Sequence, residues 1–361
     1  MKRVSLYIHI PFCVRKCAYC DFTSFPNRLD RIPDYLNRLE REMDEAASRF
    51  GALEIATLFI GGGTPSLLGG GDMARLMDAA AKRFSLSPGA EITCEANPGT
   101  LDPEKMRAYR SAGINRLSIG VQAFDDRLLK SLGRIHTRDE AIRAVLMAQD
   151  AGFDNLSVDL MYALPFQTLQ DWQDTLKTAV GLPIRHISCY SLIVEDGTPM
   201  KALVDAKKAV LPDEETAVCM QHAAAAFLKD YGFERYEISN YAQRGYESRH
   251  NMVYWTRGDY LGLGCAAHSL MNGARFANTA SLEDYLAGKA GEPPEALTER
   301  DVCEERVMLG LRTKYGVPAE ILPKRALERL VRGGLMAVEN GRARVTQAGS
   351  DVLNAVILEL I

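Results

Sequence analysis

The chain lacks a long apolar run and a surplus of positive charge. No stretch approaches the roughly 18 consecutive apolar residues that a membrane-spanning helix needs. Lys and Arg number 43 against 47 Asp and Glu, a net charge of -4. There is thus no basic excess of the kind that binds nucleic acid or anionic lipid. We therefore expect no transmembrane segment and no nucleic-acid partner.

Cysteine is also scarce and mostly scattered, with eight among 361 residues. That usage is typical of a chain kept reduced rather than held together by disulfides. The N-terminal apolar stretch is short, contains His9 and ends at Pro11, which does not fit a signal peptide. With 47% hydrophobic and 25% charged residues, the composition predicts a globular, cytoplasmic protein with a sizeable core.

The exception to this scatter is the group Cys13, Cys17 and Cys20, spaced C-x3-C-x2-C. Three thiolates so close together can bind three irons of a [4Fe–4S] cluster and leave the fourth iron open to a small ligand. Zinc is the alternative, but it prefers four ligands, usually in two separated pairs, and no fourth Cys or His follows nearby. The spacing therefore favours an iron–sulfur cluster with a chemical role.

Short apolar runs alternate with helical patterns over the first half of the chain. The predicted strands are Ser5–Ile10, Thr57–Ile60, Glu91–Glu95, Arg116–Val121, Asn155–Asp159 and His186–Leu192. The predicted helices are approximately Ile32–Phe50, Gly71–Phe84, Asp102–Ala112, Arg138–Ala151 and Leu169–Val180. Such repeats predict a parallel sheet with helices outside it. Because the chain supplies six units rather than eight, we expect an α/β fold built on a partial (β/α)6 barrel of the TIM type.

The pattern changes after about Val194. The predicted elements are a loop over Lys201–Leu211, a helix over Asp213–Tyr231 and irregular segments over Phe233–Tyr241 and Met252–Gly264. Helical patterns and an Asn340-Gly341 hairpin in the last sixty residues predict a winged-helix-like module, whose nearly balanced charge argues against DNA binding. The expected domains are 1–210, the partial barrel; 211–292, an α+β extension; and 293–361, the winged-helix-like module.

Glycine and polar residues follow the predicted strands. Gly61-Gly62-Gly63-Thr64-Pro65 comes directly after a strand, where glycines permit close backbone approach; a flexible turn is the simpler interpretation. Glu95, Gln122 and Asp159 end three further strands, and Arg134 lies in a following loop. Because ligands bind at the carboxyl ends of barrel strands, these residues predict a polar site for a charged, amino-acid-like ligand.

The cysteine motif, with an aromatic residue before its last Cys, and the Gly-Gly-Gly-Thr-Pro motif together resemble the radical S-adenosylmethionine (SAM) superfamily. Further motifs resemble its oxygen-independent coproporphyrinogen III oxidase family. They are Tyr7-Ile8-His9-Ile10-Pro11-Phe12-Cys13, Glu95-Ala96-Asn97-Pro98, Ser118-Ile119-Gly120-Val121-Gln122 and Leu132-Gly133-Arg134-Ile135-His136. The resemblance covers essentially the whole chain, including the C-terminal module.

The resemblance implies a set of cofactors and their ligands. Cys13, Cys17 and Cys20 would ligate the [4Fe–4S] cluster, and S-adenosylmethionine would bind its open iron. The residues expected to contact S-adenosylmethionine are Gly62, Gly63 and Thr64 at its amino end, Tyr7, Glu95, Gln122, Arg134 and Asp159 around it, and Tyr19 over the cluster and adenine. An electron from a reductant such as flavodoxin or ferredoxin would split the sulfonium C–S bond, chemistry that belongs to the cofactor.

The family divides into the decarboxylase and the HemW-type heme chaperones, and three features favour the chaperone branch. Phe22 stands where the decarboxylase has a further cysteine. The first cysteine of the motif is residue 13, so we expect the long N-terminal extension of the decarboxylase to be missing. His250-Asn251-Met252-Val253-Tyr254-Trp255 resembles the His-Asn-x-x-Tyr-Trp signature of the chaperones. The alternatives are the decarboxylase itself and, more weakly, a methyltransferase or cyclopropanase of the family.

The chaperone resemblance implies heme as cargo and an apo-hemoprotein, such as one of respiration, as its recipient. His250 could ligate heme iron, and Tyr254 and Trp255 offer flat apolar faces to a porphyrin. His268 and Cys265 are rival ligands. A surface His250 with core aromatic residues is the simpler interpretation of the motif. Members of the family are monomers or dimers, and the sequence leaves both open.

Overall fold

The computed structural model describes all residues, Met1–Ile361. The strands are β1 (Lys2–Ile10), β2 (Phe12–Cys13), β3 (Phe25–Pro26), β4 (Leu53–Gly62), β5 (Ser85–Ala96), β6 (Arg116–Gln122), β7 (Asn155–Tyr162), β8 (His186–Ser191), β9 (Glu234–Arg235), β10 (Asn240–Ala242), β11 (Tyr260–Leu263), β12 (His268–Met271), β13 (Ala274–Ala277), β14 (Glu295–Ala296), β15 (Val317–Pro318), β16 (Met336–Glu339) and β17 (Arg342–Val345).

Helices alternate with these strands over much of the chain. They are α1 (Ile32–Phe50), α2 (Gly70–Arg83), α3 (Pro103–Ser111), α4 (Asp126–Ser131), α5 (Arg138–Asp150), α6 (Leu169–Val180), α7 (Pro199–Asp205), α8 (Glu214–Asp230), α9 (Arg249–Trp255), α10 (Leu282–Leu286), α11 (Glu299–Gly310), α12 (Lys324–Arg332), α13 (Gln347–Asp351) and α14 (Leu353–Leu358). None of them is both long enough and apolar enough to cross a bilayer.

One mixed sheet of twelve strands forms the centre of the molecule, in the order β14-β13-β12-β11-β1-β4-β5-β6-β7-β8-β10-β9. The strands from β11 to β8 in this order run parallel to their neighbours. Their interiors are nearly continuous buried apolar runs, as expected where helices cover a parallel sheet. The predicted α/β fold with a partial (β/α)6 barrel is confirmed, and strands from both sides of residue 210 share its sheet.

The segments after the barrel depart from the prediction. Met252–Gly264, expected to be irregular, contains the end of α9 and the whole of β11, which pairs in parallel with β1 so that Tyr260 lies opposite Ser5. Phe233–Tyr241 contributes β9 and part of β10 at the other edge, and Lys201–Leu211 begins inside α7. A strand of two to four residues is too short to show a clear hydrophobic alternation. These strands are recognised only by their pairing with other strands of the sheet.

The last segment of the chain packs around a hydrophobic cluster of its own. Twelve buried residues between Val307 and Leu360 form this cluster, separate from the main core of 57. The Asn340-Gly341 turn joins β16 and β17 in an antiparallel hairpin, with Met336 opposite Val345. A three-stranded sheet packed with short helices agrees with the predicted winged-helix-like module.

Candidate functional site

The three cysteines lie in a turn beside the carboxyl end of β1. Cys13 ends the short strand β2, and the amide of Cys20 donates to the carbonyl of Cys17 at 3.2 Å. The Thr64 hydroxyl donates to the Cys13 sulfur at 3.5 Å, and an Arg134 N–H donates to the Cys17 sulfur at 3.4 Å. Burial raises the pKa of Cys20. Two of the three sulfurs thus accept hydrogen bonds from the protein, one of the means by which proteins tune iron–sulfur clusters.

The glycine motif sits directly against this turn, because Ile10 of β1 lies opposite Gly62 of β4. The amide of Gly63 donates to the Ile10 carbonyl at 2.9 Å. A Cβ at Gly63 would lie 2.7 Å from the Phe12 carbonyl oxygen and 3.0 Å from the Cys13 sulfur. Gly62 has φ +113°, and a Cβ there would meet the His9 ring at 2.6 Å. Glycine is therefore required at both positions by conformation or by space.

Two partly buried carboxyl groups extend the site on β5 and β7, the strands on either side of β6. Glu95 accepts a hydrogen bond from the Gly62 amide at 3.1 Å, and burial, reinforced by the charge of Asp159, raises its pKa to about 8. Asp159 accepts from Ser188 at 2.7 Å and from Ser118 at 3.1 Å, while burial raises its pKa. Burial thus makes both groups harder to ionise than free carboxyl groups, and a nearby cation would favour their carboxylate forms.

Two buried polar atoms of the site have no hydrogen-bond partner within the protein. Gln122 is buried in the left-handed backbone region at φ 65°, and its Oε1 has no partner. The Arg134 Nε is likewise buried and unpartnered, although another Arg134 nitrogen donates to the Gly120 carbonyl at 2.5 Å. Buried polar groups in native proteins are almost always paired. We infer that a polar ligand completes these two side chains.

A single cavity of about 530 Å³ brings every predicted site residue together. Its lining includes Tyr7, Cys13, Cys17, Tyr19, Cys20, Gly62, Gly63, Thr64, Glu95, Gln122, Arg134, Asp159 and His250. Burial raises the pKa of Tyr19, which lies between two of the cysteines. Their individual roles remain predictions, but a strand-end site at the carboxyl edge of the barrel is what the fold provides.

Sequence reasoning missed several polar residues on the cavity floor, above all Arg116 and His186. Arg116 is only 2% exposed, and its Nε has no partner. His186 hydrogen-bonds the Ser157 and Tyr236 hydroxyls. The period of two along a strand could have found them. Arg116 shares a face of β6 with Ser118, and His186 shares a face of β8 with Ser188; all four line the cavity.

The residues present fit a [4Fe–4S] cluster. Three thiols line one cavity, and two of their sulfurs accept hydrogen bonds. Three thiolates can ligate three of the four irons of such a cluster. Bound beside the Gly63 cradle, such a cluster with S-adenosylmethionine would supply one-electron chemistry, while Gln122 and Arg134 offer the polar atoms to hold the ligand.

His250 is less available to a heme than its motif suggests. It is 1% exposed; its Nδ1 hydrogen-bonds the Thr57 hydroxyl at 2.7 Å and its Nε2 the Tyr254 hydroxyl at 2.9 Å. Burial, with the nearby charge of Arg116, lowers its pKa to about 3. Ligation of iron would break one of these two hydrogen bonds. This geometry argues against the tentative assignment of His250 and favours a role in positioning Tyr254.

The rival ligands differ sharply in access. Cys265 is fully buried, its thiol donates to the Thr279 carbonyl at 3.2 Å, and burial raises its pKa to about 12. His268 is exposed at the start of β12 and lines a second cavity of about 430 Å³, which adjoins the first. Tyr254 lines both cavities, whereas Trp255 lines neither.

The parallel barrel, with three thiols and a glycine cradle at its strand ends, defines a radical SAM fold, and residues 7–179 match the model of the radical SAM superfamily. The heme chaperone HemW of Bacillus subtilis strain 168 is 39% identical over 319 residues, covering 87% of this chain and 84% of that protein. The heme chaperone HemW of Mycobacterium tuberculosis strain H37Rv is 34% identical over 367 residues, covering 99% of this chain and 94% of that protein. The chain therefore belongs to the HemW family of the radical SAM superfamily.

Among solved structures, the coproporphyrinogen III oxidase HemN of Escherichia coli, a radical SAM enzyme, matches with a TM-score of 0.87. The match covers 99% of this chain and 90% of that one at 24% identity, which supports the shared fold alone. Membership in the superfamily implies a [4Fe–4S] cluster and S-adenosylmethionine for this chain. The thiols and the unpartnered polar atoms described above suit both groups.

Proposed function

We propose that this chain is a heme chaperone that binds heme, a [4Fe–4S] cluster and S-adenosylmethionine and delivers heme to an apo-hemoprotein. The observation that carries the proposal is identity of 34–39% to curated heme chaperones over 84–94% of their length. Similarity on that scale spans the barrel, the segment with His250 and the C-terminal module together. A reductant of the flavodoxin or ferredoxin type and a cytoplasmic location belong to the same proposal.

In this proposal the three cysteines ligate the cluster and the strand-end residues hold S-adenosylmethionine. Support for the first role comes from the hydrogen bonds that Cys13 and Cys17 receive from Thr64 and Arg134. The second role is supported by the unpartnered Gln122 oxygen. The raised pKa of Glu95 adds to it, because a nearby ammonium group would convert this carboxyl into a paired carboxylate.

Phe22 distinguishes the proposal from decarboxylation of coproporphyrinogen III. The residue is 65% exposed and lines both cavities, so an apolar ring stands where the decarboxylase pattern has a thiol. An aromatic ring that lines a cavity can stack on a flat apolar ligand, and heme is such a ligand.

The test uses anaerobically reconstituted full-length protein. It is given coproporphyrinogen III with reductant and S-adenosylmethionine in one arm, and hemin in the other. We expect hemin to bind with a Soret shift and to pass to an added apo-hemoprotein, while no protoporphyrinogen IX forms. Turnover to that product, with no transfer of heme, would overturn the proposal and favour the decarboxylase. A Phe22→Cys variant that also gives no product would show that the missing cysteine is not the sole block.

A further inference from the structure

Hydrogen bonding separates the six histidines of the chain into two classes. Five imidazoles are engaged by the protein: His9 by Tyr7 and Thr23, His136 by Val121, His186 by Ser157 and Tyr236, His222 by Asp351 and His250 by Thr57 and Tyr254. His268 alone makes no side-chain hydrogen bond, and it is exposed. An imidazole ligates iron through an unprotonated nitrogen with a free lone pair. His268 can offer such a nitrogen to iron without breaking a hydrogen bond.

The surroundings of His268 suit a flat apolar ligand. It shares the cavity of about 430 Å³ with Phe22, Tyr254 and Tyr260, a size within the range of roughly 300–1,000 Å³ of small-molecule sites. Tyr254 and Tyr260 pack edge to face, with ring centroids 4.7 Å apart and an interplanar angle of 90°. The Tyr254 hydroxyl also hydrogen-bonds the His250 ring at 2.9 Å. Tyr254 is therefore the residue through which the His-Asn-x-x-Tyr-Trp motif lines this cavity.

We propose that His268 is the axial ligand of heme iron and that heme occupies this second cavity, between Phe22 and the pair Tyr254–Tyr260. The inference rests on the proposed function and deepens it, since it assigns the cargo a place and an iron ligand. Heme there lies next to the cavity assigned to S-adenosylmethionine, because Tyr7, Gly62 and Glu95 line both.

The charges of the cavity determine how heme enters. Asp21 and Glu95 are its acidic residues, and no Lys or Arg lines it; His9 is kept neutral because burial lowers its pKa. An anionic propionate would therefore find no cation inside. Heme enters with its apolar edge first and keeps its propionates in solvent, which leaves the cargo partly exposed for transfer to a recipient.

The experiment titrates hemin into the full-length, cluster-loaded protein and follows the Soret difference spectrum and the electron paramagnetic resonance of ferric heme. The variants are His268→Ala, His268→Gln, His250→Ala and, as the matched control, His222→Ala, another exposed histidine that does not line either cavity. Iron and sulfide content of every variant reports whether the barrel is folded and loaded.

We expect both His268 variants to keep their cluster, to lose the imidazole-ligated heme spectrum and to bind hemin at least about 10-fold more weakly, since even groups that only orient a metal ligand are worth that much. Free imidazole restores the spectrum of His268→Ala, and His222→Ala behaves as the wild type. Wild-type spectrum and affinity in both His268 variants would overturn the assignment while leaving the heme chaperone intact. Failure of the wild type itself to bind hemin would overturn both.

Discussion

At Gly63 a single methyl group decides whether the cysteine turn can form. An alanine Cβ there would lie 2.7 Å from the Phe12 carbonyl oxygen and 3.0 Å from the Cys13 sulfur, and the nearest neighbour is backbone, which yields poorly. We expect Gly63→Ala to lose most of its iron and sulfide after anaerobic reconstitution. Gly71→Ala is the control, because a Cβ at that position in α2 meets nothing within 4 Å. Equal iron content in the two variants would contradict the role of this glycine.

The raised pKa of Glu95 predicts how the folding stability of the protein changes with pH. Its pKa is raised from the ordinary 4.5 to about 8 by burial, so the native state binds a proton that the unfolded state releases above pH 4.5. Stability from this group is therefore complete at low pH and is lost as pH rises toward 8, by about 1.4 kcal/mol for each unit of pKa shift.

We expect the urea midpoint of the cluster-free, ligand-free wild type to fall relative to that of Glu95→Gln between about pH 5 and about pH 8, because glutamine does not ionise. The comparison largely cancels the titration of other buried groups, such as Asp159 and His250, which both proteins share. Parallel curves for the two proteins would sink the assignment of the slope to Glu95.

For individual residues, the sequence predicted which side chains line the site better than it predicted which hydrogen bonds those side chains make. Cysteine spacing and strand-end position identified Cys13, Glu95 and Gln122 without coordinates, because both signals are local. The two hydrogen bonds that occupy His250 could not be predicted in that way. One partner, Thr57, lies on β4, and only the fold brings it within 2.7 Å.

Among the elements, α5 holds the loop that carries Arg134. Thr137 caps this helix in a reciprocal box with Glu140, accepting from the Glu140 amide while the Glu140 carboxylate accepts from the Thr137 amide at 2.7 Å. We expect Thr137→Ala to cost about 1 kcal/mol of folding stability, measured by urea denaturation. It also weakens S-adenosylmethionine binding, because the residues leading into the cap include Arg134.

The control is Thr168→Ala, which removes the same kind of capping box from α6. We expect a similar loss of stability, but unchanged S-adenosylmethionine affinity in equilibrium dialysis, because the loop before α6 contributes no predicted ligand contact. Identical binding by the two variants would show that the α5 cap acts on stability alone.

The prediction of elements succeeded where each strand is long and is followed by its own helix. The apolar runs and helical patterns predict six strands, five of which are each followed by a helix, because the periodicity of each element is contained within its own segment. The parallel strand β11 was not predicted, because its four residues gain their identity from β1, at the opposite end of the sequence. Pairing between distant segments is not visible in the hydrophobic pattern of a four-residue strand. The parallel strand β11 is therefore seen only in the structure.

On the scale of the whole molecule, Glu305 joins the C-terminal module to the central sheet region. Its carboxylate accepts from Arg257 at 2.6 Å and also pairs with Arg275. Glu305 and Arg257 are only 17% and 10% exposed, so removal of the carboxylate leaves a poorly hydrated guanidinium. Breaking a fully buried pair costs roughly 3–5 kcal/mol, and for this partly hydrated group we expect about 2 kcal/mol.

Glu305→Ala should therefore loosen the module without disturbing the barrel. We expect faster hydrogen exchange in α11 and earlier proteolytic cleavage near residues 291–298, with an unchanged cluster content. Glu304→Ala, one residue earlier on the same helix, removes only the more exposed pair with Arg300 and should behave as the wild type. Equal hydrogen-exchange rates of α11 in the two variants would show that other contacts hold the module. Such contacts are the hydrogen bond that the Lys314 amide donates to the Tyr236 carbonyl at 2.9 Å and the His222–Asp351 pair.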